Sequence, residues 1–181
     1  MGKEADSMRI LIAYASKNGA ARTCVERLEA SLRGAQIKVV DLEREQPDPV
    51  AFDLVVFGSS VYFGKLRPAA RRFLKTYAAI LAQKKLFLFL CCGISREHEH
   101  YLETLFPREL RSAALQILYF GGLLRTEGLS LPDKLLVRAI RSSIFEEDMD
   151  NGEYMPTLPS ILPENIDRMS TYIRAEIAKA L

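Results

Sequence analysis

The chain has 181 residues, 49% of them hydrophobic, with a formal net charge of +2 and three cysteines. One domain of this length buries a full core, and the mixed, nearly balanced charge excludes the basic footprint of a nucleic-acid binder. Cys24, Cys91 and Cys92 are odd in number and two are adjacent, which excludes a disulfide framework or zinc pattern and points to a reducing, cytoplasmic setting. Met1 to Ser7 is polar and charged and lacks the apolar core of a signal peptide; it reads as a disordered extension before a single domain at residues 8–181. No apolar stretch approaches the roughly 20 residues of a membrane span.

Strand and helix patterns alternate along the whole chain. Residues 9–15 form a continuous apolar run, followed by the turn Ser16-Lys-Asn-Gly-Ala-Ala-Arg-Thr23 and a helix with Val25, Leu28 and Leu32 on one face. Further strands are predicted at 36–41, 53–58, 85–91 and 114–120. Helices are predicted at 68–81, at 98–105 with Pro107 as its stop, and at 132–145. Residues 146–163 read as an irregular, acidic and proline-bearing crossing, and Ile166, Met169, Ile173 and Ile177 mark a last amphipathic helix. Uninterrupted apolar strands alternating with helices predict an α/β fold, a doubly wound five-stranded parallel sheet in the order 2-1-3-4-5 with helices on both faces. Ligands in such sheets bind beyond the carboxyl ends of the strands, which directs attention to three loops.

The first loop, Ser16 to Thr23, ends a strand and opens a helix, so backbone N–H groups and the positive end of the helix dipole meet there. Ser16 and Asn18 offer polar side chains, Gly19 permits close backbone approach, and the N–H groups of Gly19, Ala20 and Ala21 could close around a phosphate, with Lys17 and Arg22 adding charge. An ordinary turn capped by Ser16 or Asn18 explains the same residues, and the loop alone leaves both readings open. It is neither a Walker A loop nor a G-x-G-x-x-G fingerprint. The second loop runs from Gly58 to Arg67 and sets Tyr62 and Phe63 beside Gly64, an arrangement suited to covering a flat ring; packing of both aromatics onto the next helix is the alternative. The third, Cys92-Gly-Ile-Ser-Arg96, could offer backbone donors to a ring edge, while Cys91 and Cys92 read as small buried hydrophobes. His98 and His100 alternate on a helix start and do not form a metal site.

Together these loops resemble the flavodoxin-like FMN-binding fold. Ile10-Leu-Ile-Ala-Tyr-Ala-Ser-Lys-Asn-Gly19 is similar to the family's phosphate loop, and Phe57-Gly-Ser-Ser-Val-Tyr-Phe-Gly-Lys-Leu66 to its ring loop. The finer resemblance is to the branch containing menaquinone-dependent protoporphyrinogen oxidase, through that ring loop and through Phe120-Gly-Gly-Leu-Leu124. The likeness runs from about Met8 to about Ile144. Two features depart from it. Ala20 and Ala21 stand where the family usually has a hydroxyl, with Thr23 two places late, and Glu147 to Tyr154 is only loosely similar to the branch's stretch before its final helix.

The resemblance implies FMN as cofactor, held by Ser16, Lys17, Asn18, Gly19, Ala20 and Ala21 at the phosphate. Ser59, Ser60, Val61, Tyr62, Phe63, Gly64, Cys92, Gly93, Ile94 and Ser95 would hold the ring. It implies an FMN-dependent oxidoreductase without protein-derived catalytic residues, passing electrons from an organic redox substrate to a quinone or other acceptor. A flavodoxin-like electron-transfer carrier serving redox proteins and a flavin-free binding module are the alternatives. Lys65, Arg67 and Arg96 lie in the ring loops, where cations would favour the reduced cofactor. The helix around Lys134, Arg138 and Arg141 joins basic and apolar residues, which suits either cover for the sheet or a peripheral contact with anionic lipid at the inner membrane face.

Overall fold

The structure is a computed structural model; it describes residues 8–32, 34–93, 98–123 and 160–180, together with positions 131, 134, 135, 138, 139 and 142. Five strands form one parallel sheet: β1 (Arg9–Ala15), β2 (Gln36–Asp41), β3 (Leu54–Tyr62), β5 (Lys85–Cys91) and β6 (Ala114–Tyr119), in the order β2-β1-β3-β5-β6. This is the predicted doubly wound order. A two-residue strand, β4 (Lys65–Leu66), lies off that path and pairs antiparallel with β3.

Alternation along each central strand divides the core in two. On one face Leu86, Leu88, Leu90 and Cys92 meet Phe73 and Leu74 of α2 (Pro68–Leu81), Tyr101 of α3 (His98–Thr104) and Leu110 of α4 (Arg108–Ala113). On the other, Phe87, Phe89 and Cys91 meet Cys24, Val25 and Leu28 of α1 (Ala20–Ser31) and Ile166, Met169 and Ile173 of α5 (Pro163–Ala178). Chain reversal between β1 and β3 leaves a switch point at the carboxyl edge, flanked by α1. Gly58 of β3 lies opposite Phe89, and a Cβ there would stand 2.0 Å from its ring. The missing side chain is what lets the Phe89 ring lie over Gly58 and stack on Phe120 at 4.5 Å.

Several expectations are corrected. The third strand does not stop at Gly58, and Gly58 to Arg67 is not an open loop: β3 continues to Tyr62, turns at Phe63 and Gly64, and returns as β4. Both turn residues have positive φ, 50° and 66°, the two-residue hairpin geometry that matches strand twist. The predicted helix at 98–105 ends at Thr104, and a second, unpredicted one, α4, follows Pro107. Pro107 therefore both stops one helix and precedes another, its fixed φ suiting either place. Described positions between 131 and 142 are helical and exposed; the rest of that predicted helix and residues 146–159 of the predicted crossing lie outside the described residues, as do residues 1–7.

Candidate functional site

The carboxyl ends of β1, β3, β5 and β6 surround a cleft of about 40 Å³, lined by Lys17, Asn18, Ala20, Ser60, Val61, Tyr62, Cys91, Gly93, Gly122 and Leu123. That volume admits a group the size of a phosphoryl or a few waters. A larger hollow of about 430 Å³ lies elsewhere, between Leu102, Arg111 and Ile117, and none of the strand-end loops contributes to it.

On the first loop, Gly19 is the N-cap of α1 with φ of 82°, and no side chain caps the helix. The sequence allowed Ser16 or Asn18 to do so. Instead Ser16 Oγ and Asn18 Oδ1 are buried with no hydrogen-bond partner, while the Lys17 N–H donates to Ser60 Oγ at 3.3 Å and fixes the turn against β3. A buried, unbonded polar atom costs roughly 1–3 kcal/mol. Two of them in one turn, next to an uncapped helix start, form a cradle whose polar groups remain to be satisfied. Ala20 and Ala21 are buried on the face of α1 that packs against the sheet. Arg22 is drawn away from the turn, its guanidinium donating to Asp41 at 3.3 Å.

On the second loop, Ser60, Val61 and Tyr62 line the cleft, whereas Ser59, Phe63 and Gly64 do not. Ser59 is fully buried; its hydroxyl donates to the Ser60 carbonyl at 3.0 Å and accepts the Arg67 N–H at 3.3 Å, tying the hairpin base to the start of α2. Phe63 is 65% exposed and meets Tyr62 edge-on at 4.5 Å, so its ring does not pack the hairpin onto α2. The Lys17 ammonium sits 3.7 Å above the centre of the Tyr62 ring. Of the cations expected near a ring, Arg67 turns to Glu43 at 2.7 Å, Arg96 lies outside the described residues, and Lys65 is exposed on β4. Lys17, assigned from sequence to the phosphate, is the cation that stands over the aromatic platform.

On the third loop Gly93 lines the cleft, Ile94 and Ser95 lie outside the described residues, and strand alternation presents Cys91 to the cleft in place of Cys92. Cys92 instead anchors the end of the sheet. Its N–H donates to the Gly121 carbonyl at 2.9 Å, and its carbonyl accepts the Tyr119 hydroxyl at 2.8 Å. Gly122 and Leu123 complete the wall. These two and Cys91 were not among the predicted site residues. The available signals were a Gly-Gly pair at a strand end and the phase of Phe87, Phe89 and Cys91 along β5.

Burial, aided by the nearby cysteines, pushes the Tyr119 phenol well above its ordinary value of 10.0. The folded state thus holds this proton more tightly than the unfolded one, and the associated stability is present below the ordinary value and lost as pH rises beyond it. Tyr119→Phe is expected to shrink this alkaline loss. It should also lower neutral-pH stability by about 1–2 kcal/mol, because the Cys92 carbonyl loses its donor; urea unfolding across pH 7 to 11 reads both. His98 stacks on Tyr119 at 4.6 Å, and no group of three potential metal ligands occurs among the described residues.

A polar turn feeding an uncapped helix at a sheet switch point, with an aromatic hairpin beside it, is the arrangement of a nucleotide-binding α/β protein. The flavodoxin domain model matches residues 11–150, and the chain belongs to the flavodoxin domain family. No curated protein matches it in sequence. Among solved structures, oxidised flavodoxin 1 from Bacillus cereus superposes with a TM-score of 0.50 at 16% identity, over 76% of this chain and 97% of that one. Two-electron-reduced flavodoxin from Megasphaera elsdenii gives 0.50 at 18% identity, over 74% and 98%. The Flv1 flavodiiron core from Synechocystis gives 0.51 at 16% identity, over 78% of this chain and only 38% of that longer one. At these identities the likeness is one of fold.

Among the described residues no helix is long and apolar enough to cross a membrane.

Proposed function

We propose that the cleft binds FMN, with the phosphate at the Ser16–Ala21 turn and the ring beside Tyr62, and that the protein is an FMN-dependent oxidoreductase. The unbonded Ser16 hydroxyl, which can donate, beside the uncapped start of α1 carries this reading; Asn18 would serve a phosphate through its Nδ2 amide, its unbonded Oδ1 being an acceptor. The cleft volume suits the phosphate, and the ring would lie over its mouth along the β3–β4 hairpin, with Gly93 and the Gly122 backbone at its edge. When bound, FMN supplies the centre that accepts and releases electrons. This chain's residues hold and shield it: Ser16 and the first turn of α1 take the phosphate, Tyr62 offers a face to the ring, and Lys17 sets a positive charge nearby.

Purified protein that shows flavin absorption after FMN addition and desalting supports the reading. A colourless protein that leaves FMN fluorescence unquenched overturns it in favour of a flavin-free binding module. Two-electron reduction in a single stage supports an oxidoreductase, and separable one-electron stages support a carrier. Replacing Lys17 by glutamine is expected to lower the midpoint potential of bound FMN, because the lost cation had favoured the reduced cofactor. An unchanged potential would remove Lys17 from the ring subsite.

The finer reading is an oxidoreductase like menaquinone-dependent protoporphyrinogen oxidase, with an organic electron donor and a quinone acceptor met at a membrane surface. The described face of the helix between residues 131 and 142 supports it: Leu131 and Leu135 are 77% and 66% exposed and share that face with exposed Lys134 and Arg138. An apolar stripe interleaved with cations suits an anionic bilayer. Co-sedimentation with phosphatidylglycerol vesicles at low salt, lost on Leu131→Ser and Leu135→Ser, is the expected result; absence of binding removes the membrane contact.

A further inference from the structure

The three cysteines resolve into a pair and a single residue. Cys91 faces the α1 layer, whereas Cys92 belongs to the opposite layer. Cys24 lies on the packed face of α1, one turn after Ala20, and its Sγ is 3.7 Å from Cys91 Sγ. Both thiols are free and at most 1% exposed, yet Cys91 also lines the cleft, which gives a small solute a route to it. Closing the pair to a bond of about 2.05 Å requires movement of less than 2 Å, shared between two side chains and the first turns of α1.

We propose that Cys24 and Cys91 are an oxidative modification site, in which a small hydroperoxide entering through the cleft converts them to a disulfide joining α1 to β5. In the first step the Cys91 sulfur takes an oxygen from the peroxide. The O–O bond breaks, Cys91 becomes a sulfenic acid, and one water leaves when the oxidant is hydrogen peroxide. In the second step the Cys24 sulfur attacks the Cys91 sulfur. The S–S bond forms, the S–O bond breaks, and the Cys24 thiol proton leaves with the hydroxyl as a second water. Two thiols lose two electrons and one peroxide gains them. Burial pushes the Cys91 thiol well above its ordinary range, so it is protonated at neutral pH. A slow reaction with a small, neutral oxidant follows from that, and bulky charged reagents should be excluded. Because Ala20 and Cys91 both line the cleft, a bridge one turn along α1 would also narrow it.

The bridge is read by mass alone, whichever ligand the cleft takes. Reduced full-length protein treated with excess hydrogen peroxide should lose two hydrogens in intact mass. Non-reducing peptide mapping should link the Cys24 and Cys91 peptides, and dithiothreitol should reverse the change. Cys92→Ala should still form the bridge. Cys24→Ala should stop at a sulfenic acid on Cys91 that dimedone captures. An unchanged mass, a bridge through Cys92, or over-oxidation of Cys91 without a bridge overturns the proposal; the wild-type mass suffices if the Cys24 variant does not fold.

Discussion

Replacing Gly122 by alanine is expected to lower stability by about 3 kcal/mol and to abolish tight binding in the cleft. A Cβ at this position would stand 2.1 Å from the Cys92 carbonyl oxygen and 2.7 Å from the Gly93 nitrogen. These are backbone atoms, so no flexible side chain can yield. Nor can the chain retreat on its other side, where the Gly122 N–H donates to Ser160 at 3.1 Å and Gly121 pairs with Ile161. Gly121 is confined in the same way: its φ is 78°, and a Cβ there would stand only 2.1 Å from the Ser160 carbonyl oxygen. The chain end after β6 is thus clamped between Cys92 and residues 160–162, and the clamp forms one wall of the cleft. Thermal unfolding should show a midpoint lower by roughly 6–12 °C. A wild-type-like midpoint would mean that the strands separate here at little cost.

Ser16→Ala is expected to act with opposite signs on the two states of the protein. Without ligand, removing the unbonded hydroxyl should raise stability by about 1 kcal/mol, since the fold no longer buries an unpaired polar atom. With FMN, the variant should bind about 10- to 100-fold more weakly, the effect of losing a hydrogen bond to a charged oxygen worth roughly 1.5–3 kcal/mol. Denaturant titration and fluorescence titration with FMN test the two halves separately. Wild-type affinity in Ser16→Ala would show that the phosphate does not use this turn. A loss of stability without ligand would show that Ser16 has a partner in solution.

The large-scale architecture was legible because the central strands are covered on both faces and consist of unbroken apolar runs, such as Ile10 to Ala15 and Leu86 to Cys91. The hairpin was not, because Gly58, Ser59 and Ser60 have the composition of a loop and the partner strand is two residues long. Its turn also places Phe63 where glycine or asparagine is the usual signal. In the cleft, β5 ends at Cys91 as the sequence predicts, and the alternation of Phe87, Phe89 and Cys91 along it turns Cys91 and Cys92 to opposite layers. Ser59 and Arg67 were placed near a ligand by sequence position, but burial directs Ser59 to the backbone of its own hairpin and Glu43 captures Arg67. Such pairings depend on partners distant in sequence, and local pattern does not reveal them.

The hairpin tip has one further consequence. Phe63 holds φ of 50° while leaving 65% of its surface in water, so it contributes neither backbone comfort nor much burial to folding. In landscape language this is local frustration, a residue whose preferences oppose the conformation imposed by its neighbours. Such conflicts concentrate where a protein meets something other than itself. At the tip of β3–β4 the fold therefore sets one side chain against its own backbone preference with little burial in return.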